Sequence, residues 1–211
     1  MSLISRGKYD KNKLVFETLA GLIHVEVSSS GDQTKITMTQ PKPKFGFKIE
    51  KKVLSQIGGI PENSILCKPQ VVSTGLPFPI VLVDTLETLQ KVTIDYQALN
   101  KFRATSSEND LMEPFWVCLS PPRENGITFS RLLLQSGGRS EDPFTGSATG
   151  AMAAYLWDNG LIQSPTFIAH QGDFLGRPGE ATVEVLGPAG NISGVKVTGS
   201  AYILMTGKLK I

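Results

Sequence analysis

The sequence predicts an α+β fold with many antiparallel strands and few helices, and three observations carry that expectation. Most of the chain reads as short apolar, strand-like stretches such as "PFWVCL", "TFIAH" and "ATVEV". The helical stretches do not alternate regularly with strands, as a doubly wound parallel sheet would require. One helix is rich in small residues, Ala148, Gly150, Ala151, Ala153 and Ala154, so it can approach other backbone closely. Enclosure of that helix by a curved sheet would suit it.

The elements follow in order. Lys13 to Met38 predicts two strands and a turn, with Ser-Ser-Ser-Gly-Asp (residues 28–32) as the turn. Alternation puts Ile23, Val25 and Val27 on one face and Leu22, His24 and Glu26 on the other. Gln40 to Phe47, "QPKPKFGF", reads as a linker, because its prolines lack the amide donor of a central strand. "KIEKKVLSQIGGIP" predicts a short helix ended by Gly58 and Gly59. "SILCKPQVVSTGLPFPIVLVD" predicts two strands around a Ser73-Thr74-Gly75 turn, and "TIDYQALNKFRATS" a helix with Tyr96, Leu99 and Phe102 on one side. "EPFWVCLSPP" and "GITFSRLLLQ" are expected strands, and "TGSATGAMAAYLWDNG" a helix with Gly160 as its left-handed terminator. The C-terminal region reads as further strands, through "AYILMTGKLKI".

Bulk properties narrow the function. A chain of 211 residues is one large domain or two small ones, long enough to bury a core. With 40% hydrophobic and 19% charged residues and a net charge of +2, it has the composition of a soluble globular protein. The basic residues Lys42, Lys44, Lys48, Lys51 and Lys52 are broken up by Pro and Gly and read as solvated surface. No nucleic-acid partner is expected. No stretch reaches the about 20 apolar residues of a membrane span, and the first residues lack the apolar core of a signal peptide. A cytoplasmic location is the expectation. Cys67 and Cys118 read as buried thiols outside any disulfide. With His24 and His170 the only histidines, no metal site is expected.

Three stretches could share one site. In "SEDPFTGSATGA", Pro143 fixes its own backbone and biases Asp142 toward an extended geometry just outside the helix. Thr145 or Ser147 can cap the helix start. The amides of Gly146, Ser147 and Ala148 would then point outward and receive a carboxylate or phosphate, with Gly146 permitting close approach. An anion held there would sit near Asp142, a potential proton donor or acceptor. A simply capped helix with compensating acids is the structural alternative, and Glu141 is expected to face solvent. Ser73, Thr74 and Gly75 read as a plain turn or a ligand-facing loop. "HQGDFLGRPG" reads as a tight loop in which His170 is a satisfied surface or loop residue, and Arg177 pairs with an acid or is solvated.

These residues carry a resemblance. "GRSEDPFTGSATGAMAAYL" resembles the E-D-P-x-T-G-S-A segment of the PhzF (phenazine biosynthesis-like) isomerase family, which shares its fold with diaminopimelate epimerase. "STGLPFPIVLV", "HQGDFLGRPGEATVEV" and "VTGSAYILMTGKLKI" extend the match in order, over nearly the whole chain from about Lys13. The resemblance implies two lobes, each a rolled, mostly antiparallel sheet around a central helix, with the site between lobes at the two helix starts. It implies cofactor-independent acid–base proton transfer on a small carboxylate-bearing molecule held by helix amides. By matching position Asp142 is the catalytic candidate. Ser73, Thr74, Gly75, Thr145, Gly146, Ser147, Ala148, Gln171 and Gly172 are the substrate-binding candidates.

The family pattern also contains an N-terminal D-V-F strand, a general acid/base glutamate and a G-H-x-T segment, none of which occurs in this sequence. Glu17 and His24 are the nearest substitutes it offers. The expected organisation is therefore a complete second lobe and a partial first lobe. Residues 1–40 would be remnant strands of the first lobe. Residues 41–200 would form the second lobe around a central helix near 146–158, and 201–211 a last strand returning to the first. The single chain is expected to be incomplete or inactive alone, and to work as a homo-oligomer, such as a homodimer, or with a complementing chain. A non-catalytic binding or oligomerising module on the same scaffold is the alternative.

Overall fold

The computed structural model describes residues 12–18, 21–30, 33–106, 110–119, 126–135, 140–202, 205 and 207. The strands are β1 (Lys13–Thr18), β2 (Gly21–Ser30), β3 (Gln33–Gln40), β4 (Lys44–Lys48), β5 (Gln70–Ser73), β6 (Pro77–Val83), β7 (Phe115–Cys118), β8 (Gly126–Leu133), β9 (Glu141–Asp142), β10 (Thr166–Gln171), β11 (Gly179–Leu186) and β12 (Gly194–Ser200). The helices are α1 (Lys51–Gly58), α2 (Leu86–Lys91), α3 (Tyr96–Thr105) and α4 (Gly146–Asp158). All strands join one sheet in the order β1-β2-β3-β12-β11-β10-β8-β7-β6-β5-β4, with β9 added on β8. The α+β expectation holds. The pairing is mostly antiparallel, but β6–β7 and β8–β10 are parallel, because helices or longer connections carry the chain across between them.

Both faces of the sheet centre are covered, which explains its continuous apolar runs. Phe78, Ile80 and Leu82 of β6 and Phe115 and Val117 of β7 point into a core built around α4. The alternate residues, Val81, Val83, Trp116 and Cys118, point into a second core with α1, α2 and α3. The period of two thus feeds two cores from one strand. Helix α4 is buried from Ala148 to Leu156 and packs on β5 and β6 as well as on β11 and β12. Burial, with a smaller contribution from Cys67, pushes the Tyr155 phenol of α4 up, and its hydroxyl donates to the Lys68 carbonyl at 3.0 Å. No described helix is long and apolar enough to cross a membrane.

Several local expectations hold. Gly59 caps α1 in the left-handed region at φ 62°, and Gly160 follows α4 at φ 65°. Leu99 is buried with Tyr96 and Phe102 packed beside it on the second core. Val27 is buried, Ile23 and Val25 are half-buried, and Leu22, His24 and Glu26 are exposed. Cys118 is buried as expected, whereas Cys67 is only half-buried; neither is in a disulfide.

Others change. Lys13 to Met38 holds three strands, since the chain turns before Gly21, whose φ of 108° favours glycine. Lys44–Lys48 of the expected linker is an edge strand with an irregular register on β5, and the prolines of that stretch lie before it. Helix α2 was not expected; its signal is Thr85, whose hydroxyl accepts from the Thr88 amide at 3.0 Å. Of the expected turn at 28–32, Gly31 and Asp32 lie outside the described residues, as do residues 1–11 and most of the expected strand 201–211. Strand β12 itself reaches β3, with the Ala201 amide donating to Thr34 at 3.3 Å.

One contact ties the N-terminal strands to the helix. Gln40, 3% exposed at the end of β3, donates from Nε2 to the Gly146 carbonyl at 2.8 Å and accepts at Oε1 from the Thr74 hydroxyl. Its amide lies flat on α4 because residue 150 is glycine: a Cβ there would sit 1.9 Å from Gln40 Oε1. Gly150→Ala should therefore cost about 2 kcal/mol in chemical denaturation. A Gln40→Ala/Gly150→Ala double variant should lose less than the sum of the single changes. Additive losses would show that the two residues do not compete for the same space.

Candidate active site

The site starts from a turn that two flanking segments hold. Asp142 ends β9 in extended geometry, as its proline neighbour predicts. Its carboxylate Oδ2 accepts from the Thr145 hydroxyl at 2.5 Å, a charge-assisted bond. Thr145 is the N-cap residue of α4, yet no side chain caps the helix. The expected cap by Thr145 or Ser147 is thus replaced: the Thr145 hydroxyl is committed to Asp142. Among the described residues no side chain bonds the first-turn amides, which lie at the positive end of the helix dipole.

Gln171, 1% exposed, clamps this turn from β10. Its Oε1 accepts from the Thr145 amide at 3.0 Å. Its Nε2 donates to the Asp142 carbonyl at 2.8 Å and to the Thr145 hydroxyl at 3.1 Å. Gly172 follows at φ 88°, where a Cβ would lie 2.3 Å from the Arg177 carbonyl and 2.6 Å from that of Pro143. Only glycine lets the loop press its backbone on the turn. Gly179 does the same on the Phe144 ring, where a Cβ would be 2.8 Å away. The Gln-Gly…Gly spacing of "HQGDFLGRPG" is the footprint of the Asp142–Thr145 turn.

A second cluster touches the same helix start. Thr74, 5% exposed, bonds Gln40 and lies 3.4 Å from the Ser147 carbonyl. Ser147 is half-buried and Ala148 fully buried. Ser73 and Gly75 form the turn itself, the Gly75 amide donating to Ser73 Oγ at 3.2 Å. They face a separate cavity of about 320 Å³ that Lys44 and Asp110 also border. A cleft of about 720 Å³ opens at the helix start, bordered by Phe144, Gly146, Lys35, Glu180 and Thr198. The fold therefore gathers Asp142, Thr145, Gln171 and Gly172 in one bonded cluster at the α4 start and brings Thr74 to Ser147 there as well.

Two expectations are corrected. Glu141 does not face solvent: it is 5% exposed and pairs with Arg131, Nε to Oε1 at 3.0 Å and Nη2 to Oε2 at 2.7 Å. Strand alternation turns it away from Asp142 into the second core, where Arg131 waits. His170 is neither a surface nor a loop residue. Strand β10 runs on to Gln171, so His170 is 2% exposed and stacks on Phe129 with ring centroids 5.0 Å apart. Arg177 is exposed, as are Glu17 and His24. Gln40 and Arg131 were missed, since their partners are distant in sequence. The one signal for them is a polar residue closing or interrupting an otherwise strand-like run.

Known isomerases and PhzF-family structures are similar to this chain. An uncharacterized isomerase of Clostridium acetobutylicum is 30% identical over 213 residues, covering 95% of this chain and 68% of that one. The uncharacterized isomerase YfhB of Bacillus subtilis is 28% identical over 215 residues, covering 100% of this chain and 72% of its own length. A crystal structure of a Bacillus anthracis phenazine biosynthesis protein of the PhzF family superposes with a TM-score of 0.75 at 24% identity, over 96% of this chain and 73% of that one. A Pseudomonas aeruginosa protein described as a predicted epimerase does so with a TM-score of 0.70 at 24% identity, over 97% and 72%. The phenazine biosynthesis-like (PhzC-PhzF) family pattern spans residues 1–207, and the chain belongs to that family.

Proposed function

We propose that this protein is a cofactor-independent isomerase or epimerase that moves a proton on a small carboxylate-bearing metabolite, with Asp142 as the acid–base group. The observation that carries the reading is the pairing of a half-buried, fixed carboxylate with a helix start that no side chain caps. The helix amides would hold the substrate carboxylate, and Gly146 leaves room for it beside the 720 Å³ cleft. Asp142 would then take or return a proton at the neighbouring carbon. The Thr145 hydroxyl and the Gln171 clamp would keep it aimed during the transfer. Isomerase relatives support the reaction class.

The same reading gives the sheet two roles. We take β4–β12 with α4 as the second lobe, a sheet rolled around its central helix, and β1–β3 as part of a first lobe. On β1–β3 one face carries Leu14, Phe16, Ile23, Val25, Ile36 and Met38, all at least partly exposed. Phe16 on this face is 51% exposed. Strand β1 is also the edge of the sheet among the described strands. Inversion at a carbon, which removes a proton on one face and returns one on the other, calls for a second acid–base group opposite Asp142, and a surface covering this face would bring it. That surface would belong to another copy or to a segment carrying the family's glutamate, on the same polypeptide or on another.

Incubation with small 2-hydroxy and 2-amino carboxylic acids in deuterated water should incorporate deuterium at carbon. Asp142→Asn should lower that rate at least about 100-fold with the melting temperature kept. Exchange that survives Asp142→Asn would remove Asp142 from the chemistry, and no exchange with any partner present would favour a binding module. Sedimentation should show association at micromolar concentration, and Phe16→Asp should weaken it. A stable monomer with an unchanged Phe16→Asp profile would count against the second surface.

A further inference from the structure

The buried Arg131–Glu141 pair is not used by the chemistry above, and its geometry is unusual for a simple ion pair. The guanidinium spends Nε and Nη2 on the two carboxylate oxygens. Its Nη1 donates to the carbonyls of Leu89, Gln90 and Val92 at 3.0, 2.9 and 3.2 Å, closing the C-terminal end of α2. Its Cζ lies over the Phe174 ring, 5.4 Å from the ring centroid. One side chain therefore touches α2, β9 and the turn that follows Gln171.

We propose that Arg131 is a positioning residue for Asp142, acting through Glu141 and through the loop of Phe174. Strand β9 has only two residues, Glu141 opposite Leu133 and Asp142 opposite Leu132. Neighbouring strand residues point to opposite faces. Leu132 belongs to the core around α4, and Leu133 to the core of α1–α3. Locking Glu141 onto Arg131 on the α2 side therefore sends Asp142 to the α4 side, where Thr145 receives it. The second arm acts on the clamp. Phe174 lies three residues after Gln171, and the Leu175 and Arg177 amides bond back to Gly172. Both grips on the Asp142 turn thus converge on one guanidinium. Replacing a buried ion pair by apolar groups of similar volume is often neutral for stability. The pair therefore sets direction more than stability, and it deepens the proposed role of Asp142.

The test reads Asp142 directly. The carboxyl carbon resonance of Asp142 is assigned by its loss in Asp142→Asn, and Thr145→Val reports that resonance without the hydroxyl donor. An Arg131→Met/Glu141→Leu double variant should keep its circular dichroism spectrum and cooperative melting. Its Asp142 resonance should move to the Thr145→Val position, and the slow-exchanging Thr145 hydroxyl proton should be lost. A folded double variant with the wild-type resonance overturns the proposal. Should the double variant not fold, Arg131→Lys decides. An ammonium cannot span both carboxylate oxygens and three carbonyls, so the resonance should move, and an unmoved one overturns the proposal. The readout needs no substrate, so a failed proton-exchange assay and a failed positioning role are separate results.

Discussion

The structure depends on one constraint: α4 is apolar around its whole circumference and meets sheet on more than one side. From Ala148 to Leu156 no residue is exposed. Such a helix cannot solvate itself along its length and reaches polar groups only at its ends. Its small residues let β5, β6, β11 and β12 approach. The polar start is then the natural place for a site, because the helix's first amides gather there beside an open cleft. The large side chains of the core come from the strands and from the second half of the helix, where Met152, Tyr155 and Leu156 are buried.

That arrangement demands polar groups in buried places, and the fold satisfies them with long-range amide and guanidinium contacts. Gln171 spends its side-chain amide on the Asp142–Thr145 turn. Gln40 bonds a carbonyl 106 residues away in sequence. Arg131 satisfies a carboxylate and a helix end at once. Each would cost about 1–3 kcal/mol or more if left unpaired, so each specifies one geometry and penalises its neighbours. Glycines at 150, 172 and 179 are the counterpart, giving up their side chains where these groups or the turn press on backbone.

The N-terminal strands behave differently. They join the same sheet through β3–β12, and Gln40 anchors them to the α4 start. Yet β1 keeps none of its described side chains buried, and Val15, Phe16 and Leu22 are exposed. A sheet half-buried at one end and open at the other places the helix start at a boundary between a finished core and an apolar face. Both are needed for the reading of the site as one wall of two.

The sequence by itself determined the α+β class, most strands, three of the four described helices and the Asp142–Gly146 turn. Those features follow from local rules: period-two alternation, proline's fixed backbone, glycine at helix ends. The motif segments identified the family for the same reason, since "EDPFTGSA" and "HQG" are contiguous. Only the tertiary structure decided which polar residues are buried. Glu141 reads as a solvated acid until β8 places Arg131 beside it, and His170 as a loop residue until Phe129 stacks on it. Thr145 reads as a cap until Asp142 takes its hydroxyl. Gln40 reads as the start of a linker until Gly150 makes room for it. Alternation tells which face a side chain takes, but the partner on that face comes from sheet order, and sheet order is set by contacts distant along the chain.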